Sequence, residues 1–170
     1  MIPTRRMCEQ LWEDMKLPGA LKAHMTAVAD LSVRIGTALN RKGFSLDVSL
    51  LEAAALLHDI KKGTPHHAEA AAQTLEALGF SEAAPIVAAH MRLSEDFRPE
   101  ITERTVVFLA DKHFAGAAPV SLEKRYGEKA AACRGEPLVL EVIQSQLQLS
   151  KALERQIKAA LGTGSLLRLP

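Results

Sequence analysis

Residues 56–67 read LLHDIKKGTPHH and gather His58, His66 and His67, half of the six histidines in the chain, beside Asp59, Lys61 and Lys62. The run leading into it, LLEAAALLHDI, is rich in Ala and Leu. On a helix, Leu50, Ala53, Ala54 and Leu57 fall on one side, so His58 and Asp59 arrive at the end of an apolar face. Gly63 is a stop signal. Thr64 can cap the next helix, with Pro65 at its first position, which puts His66 and His67 in the first turn. Steps of four, eight and eleven from His67 reach Ala71, Leu75 and Leu78, an apolar face. Comparable steps from His66 reach Ala70, Gln73 and Ala77, a weaker one. His67 is therefore the candidate for an interior role and His66 for an exposed one.

Outward from this stretch the pattern is helical. Apolar residues make up 48% of the chain and aromatics only 4%, and the dominant Ala and Leu are good helix formers. Pro and Gly divide the sequence into about seven helices, near 4–16, 19–40, 46–60, 65–78, 81–92, 100–115 and 136–161, with a weaker one near 120–132. Strand-like alternation is absent. TVVFLA, residues 105–110, is β-prone but lies inside a longer helical window and reads as a buried helix. The fold class is all-α, a single domain over 1–170.

Other ligand-type side chains stand on apolar faces. Leu21, His24 or Met25, Val28, Leu31, Ile35 and Leu39 recur at intervals of three and four. His90 stands above Ala83, Ile86 and Val87, and Asp111 above Val107 and Phe108. Taken singly, His24 and His90 read equally as hydrogen-bonded core histidines, and His113 as a core or a surface residue. Jointly they point elsewhere. Burying a carboxylate is costly unless it is paired or coordinates a cation. Imidazole and carboxylate together suit divalent first-row metals: Mn, Fe, Co, Ni or Zn.

The order His24, His58-Asp59, Asp111 resembles the signature of the HD superfamily of metal-dependent phosphohydrolases, over about residues 18–130. LLHDIKKG is similar to the family's HDIGK-type segment, with Lys62 at the lysine position and Lys61 in place of the usual Gly. HAEAA aligns His67 with a family histidine. LADKHFAG resembles the Asp-Lys segment of the bacterial branch that includes the diadenosine-tetraphosphate hydrolases. It is closer still to HD domains that stand alone or are fused to nucleotidyltransferases. The resemblance implies a helical bundle of the HD type, with the N-terminal helix and helix 136–161 packed outside the motif-bearing core. It further implies a first metal on His24, His58, Asp59 and Asp111, and a second on His67 and His90 with Asp59 bridging. Such ions activate water against a phosphoryl group. Asp59, Asp111 and Lys62 would carry the catalytic work. Lys61, Lys62, Lys112 and Arg125 would contact phosphate, with a surface salt bridge the alternative for Arg125.

The implied activity is hydrolysis of a phosphoester or phosphoanhydride in a small, nucleotide-like substrate. The rival is a regulatory module that binds a nucleotide without turnover. A net charge of +1 argues against an extended nucleic-acid surface. No run reaches membrane-span length. Cys8 and Cys133 form no CxxC pairing, which suits a reducing, cytoplasmic setting. Leu138, Val142, Leu149, Leu153 and Ile157 are spaced for packing, so the last long helix could close the core or pair two subunits.

Overall fold

The helices begin where short polar side chains can satisfy free backbone N–H groups. Thr4 Oγ1 accepts from Met7 N, Asp47 from Leu50 N and Ser121 from Lys124 N. At Thr102 the capping is reciprocal, with Thr105 answering from the third helical position. The computed structural model describes residues 1–92 and 100–170. Among these are eight α-helices: α1 (Arg5–Asp14), α2 (Gly19–Asn40), α3 (Val48–Leu57), α4 (His67–Ala77), α5 (Ala84–Ala88), α6 (Glu103–Lys112), α7 (Leu122–Ala132) and α8 (Pro137–Leu161). A two-residue antiparallel pair, β1 (Phe114–Ala115) and β2 (Ala118–Pro119), joins α6 to α7. No described helix is long and apolar enough to cross a membrane.

One apolar core runs from Cys8 and Trp12 of α1 through α2, α3 and α6 to Leu153 and Ile157 of α8. Helix α2 packs along α3. A Cβ placed on Gly36 of α2 would lie 2.3 Å from Leu51 Cδ1, so the glycine permits an approach that any side chain would obstruct. Thr105–Ala110 is buried throughout, as its composition predicts. The C-terminal half of α8 closes the core, while Leu138 near its start is 77% exposed.

Four expectations are corrected, each at a helix end. The third helix stops at Leu57 rather than near 60. His58 Nδ1 donates to the Ala55 carbonyl and Trp12 Nε1 to the Leu56 carbonyl, so side chains take the acceptors that further helical turns would use. The chain then descends through tight turns, Ile60 N to Leu57 O, Lys62 N to Asp59 O and Thr64 N to Lys61 O. The fourth helix starts at His67, not Pro65. Thr64 Oγ1 donates to the Lys61 carbonyl instead of capping, and His66 occupies the N-cap position in a left-handed conformation, φ +50°. The fifth helix is only Ala84–Ala88. The helix expected over 100–115 ends at Lys112, because Phe114 and Ala115 pair with Pro119 and Ala118.

Candidate metal centre

Five elements deliver the site. His24 projects from the first third of α2, His58 caps α3 with Asp59 directly after it, and His67 opens α4. His90 follows α5, and Asp111 sits one residue from the end of α6. His24, His58, Asp59, His90 and Asp111 are all buried, and His67 is half-buried. The rings of His24 and His58, and of His58 and His90, meet edge to face with centroids 5.1 and 4.9 Å apart.

The backbone orients these rings. His24 Nδ1 donates to Gly116 O at 2.8 Å, His58 Nδ1 to Ala55 O at 2.7 Å and His90 Nδ1 to Val87 O at 2.6 Å. Because a carbonyl only accepts, the proton lies on Nδ1 in each case, and Nε2 presents its lone pair to the cluster. Such second contacts are what fix a metal-binding imidazole. The Nε2 atoms then converge on oxygen. His24 Nε2 lies 3.2 Å from Asp111 Oδ1 and 3.5 Å from Asp59 Oδ2, and His58 Nε2 lies 3.6 Å from each of the same two oxygens. His67 Nε2 and His90 Nε2 lie 3.3 and 3.5 Å from Asp59 Oδ1, yet neither makes a hydrogen bond.

Two ligand triads share one carboxylate: His24, His58 and Asp59, and Asp59, His67 and His90. His24 Nε2 and His58 Nε2 stand 3.2 Å apart. Facing lone pairs beside two carboxylates repel unless positive charge lies between them. The electrostatics agree. Burial opposes charge on His58, but the adjoining Asp111 and Asp59 outweigh it and raise its pKa. Burial would likewise raise Asp59 and Asp111, yet the surrounding imidazoles with Lys62 and Lys112 hold both carboxyls well below the usual range. The donor set therefore fits one or two divalent cations.

The cations expected from the sequence fall in different places. Lys62 contacts Asp59 directly while its side chain is half exposed. Lys112 is buried, and its ammonium donates to Asp111 Oδ2 at 2.7 Å and to the His90 carbonyl at 2.9 Å, 4.9 Å above the Phe108 ring. It braces two ligand positions. Lys61 is not brought to the cluster; it lines a separate shallow groove with Thr64 and Pro65. Arg125 faces the site from α7, its Nε buried without a hydrogen-bond partner.

Lys129 is the residue sequence reasoning missed. One turn beyond Arg125, it lines the same cavity of about 190 Å³ above the cluster. Burial, then the charges of Lys112 and Arg125, lower its pKa to about 8. In GEKAAA it resembles a solvated helix lysine; the i, i+4 spacing from Arg125 was the available signal. His113 proves to be a core histidine, with Nδ1 3.3 Å from Val120 O and Nε2 3.5 Å from Glu154. His66 is exposed.

A curated relative, an uncharacterized protein of Methanocaldococcus jannaschii, is 28% identical over 129 residues, covering 62% of this chain and 76% of the relative. No solved structure matches the chain. The family model described as HD domain matches residues 21–116. That span begins on the helix bearing His24 and ends just past Asp111, so it encloses every candidate ligand position; the chain belongs to the HD-domain family.

Proposed function

We propose that the protein is a metal-dependent phosphohydrolase acting on a small phosphorylated substrate of the nucleotide type. The observation that carries this reading is the joint placement of bare imidazole nitrogens around Asp59 and Asp111, beneath a cavity lined by Lys62, Lys112, Arg125 and Lys129. The first feature calls for a cation and the second for an anion.

His24, His58, Asp59 and Asp111 would hold one ion, and His67 and His90 a second through the shared Asp59. Divalent ions bound there polarise a phosphoryl oxygen and acidify water. The chain's own groups do the rest. Asp59 and Asp111, kept ionised, orient the attacking water and accept its hydrogen bond. Lys62, half exposed and paired with Asp59, would turn towards a phosphoryl oxygen, whereas buried Lys112 holds Asp111 and the His90 backbone in place. Arg125 and Lys129 enclose the anion from α7, Arg125 with a planar fork suited to two oxygens at once.

The test is turnover by metal-loaded protein of nucleotides, dinucleoside polyphosphates and a generic phosphodiester, with elemental analysis of the same preparation. We expect stoichiometric Mn, Fe, Co, Ni or Zn, and hydrolysis abolished in His58→Ala and Asp59→Ala. Activity persisting in both variants would reject the assignment.

A further inference from the structure

Two cavities meet at the cluster. The smaller, about 190 Å³, is the charged one above Asp59 and Asp111. The larger, about 610 Å³, opens beside His24 and is walled by Leu17, Pro18, Ala20 and Leu21. Lys62 and Arg125 line both, so they form the border between them. Small-molecule sites usually span roughly 300–1,000 Å³. The larger chamber is within that range, while the smaller suits a phosphoryl group and water.

The walls of the larger chamber include no carboxylate, amide or hydroxyl side chain. The carbonyl of Gly116, also on its lining, already accepts from His24 Nδ1. Its charged side chains, Lys62 and Arg125, stand at the border where the phosphoryl group would lie, and the wall beyond them is aliphatic. We propose that this aliphatic chamber receives the leaving group of the substrate and selects it by size and apolar character. The substrate class is then a phosphate monoester of an uncharged, aryl or nucleoside-sized alcohol, with little discrimination between bases. This rests on the phosphohydrolase reading above. With the phosphoryl group at the Lys62–Arg125 border, the P–O bond to the alcohol breaks and a P–O bond from water forms. One water proton passes to the leaving oxygen, giving the free alcohol, and the other remains on inorganic phosphate.

Unreactive phosphonates test the chamber apart from turnover. Calorimetry on manganese-loaded protein should show benzylphosphonate binding at least about tenfold tighter than methylphosphonate, since only the former fills apolar space. Ala20 is exposed on α2, and Ala20→Phe fills the chamber from its rim without entering the core. It should collapse the benzyl-to-methyl ratio to about one. Four common nucleoside monophosphates should be hydrolysed with kcat/KM within about tenfold of one another, whereas a site reading hydrogen bonds separates them by about 10⁴–10⁵. A benzyl-to-methyl ratio near one in the native protein, a ratio unmoved by Ala20→Phe, or a spread above about a thousandfold between bases would each overturn the chamber assignment alone. Failure of both phosphonates to bind would instead remove the phosphohydrolase reading, and the chamber assignment with it.

Discussion

His24 Nε2 lies 3.2 Å from Asp111 Oδ1, although one side chain comes from the second helix and the other from the sixth. Neither residue gains by local structure from this proximity. Both are buried, and the imidazole already spends its Nδ1 proton on Gly116. The pairing is intelligible as two ligands of one ion. His24→Ala and Asp111→Asn should therefore weaken metal binding by at least about 100-fold, the upper end of what loss of an outer supporting contact costs. Competition against a chelator, read by elemental analysis, measures this directly. Equal metal retention in both variants would contradict it.

Metal removal should also be visible far from the site. Cys8 is 1% exposed, and burial, followed by the charges of Glu52 and Glu9, pushes its thiol up to about 12. It should react with a thiol reagent only when the fold opens. An ion at 100 times its Kd stabilises the native state by about 2.7 kcal/mol, so loading should slow Cys8 labelling about 100-fold. Half-buried Cys133 serves as the internal reference.

Lys129 gives a pH signature. Its folded pKa lies at about 8, below the ordinary 10.5, with burial as the main cause. It is charged below that value and neutral above it, so phosphonate affinity should fall as pH rises through about 8. The stability sign is opposite. The buried charge is a penalty fully present below the folded pKa, and the unfolded chain binds the extra proton between the two values, so stability rises across that window. Lys129→Met should bind anions more weakly, lose the affinity decline near pH 8 and melt at higher temperature at pH 7. A lower melting temperature would show that the ammonium is a net stabiliser.

Gly36 sets the spacing of the two helices that carry His24 and lead to His58. Gly36→Val would drive a side chain into Leu51, fully buried and with little room to yield. Overpacking of this kind costs typically 1–3 kcal/mol. Thermal denaturation of the ion-free protein checks that value, and metal affinity should fall alongside it as the α2 and α3 ligands separate.

Much of this was legible in the chain. The stripe of α2 and the apolar run of α3 follow helical periodicity, which is strong in long segments. The preference for His67 over His66 rests on the same periodicity; His67 Nε2 lies 3.3 Å from Asp59 Oδ1, and His66 is exposed. What escaped lies where side chains or single residues override the pattern. A hairpin of two-residue strands is too short to alternate. A left-handed non-glycine residue such as His66 leaves no compositional trace. Adjacent lysines cannot be told apart by type, and only the tight turns after Leu57 bring Lys62 onto Asp59 and leave Lys61 in a separate groove. Lys129 was hidden because a lysine among alanines resembles ordinary solvated surface.

Trp12 is the chain's single tryptophan, and its indole donates to the Leu56 carbonyl at 2.8 Å, two residues before His58. The N-terminal helix, outside the span matched by the family model, is thereby fastened to the backbone that carries the HD pair. The ring thus doubles as an intrinsic optical gauge: its emission should register any displacement of that helix terminus when the ligand shell fills, with no label attached.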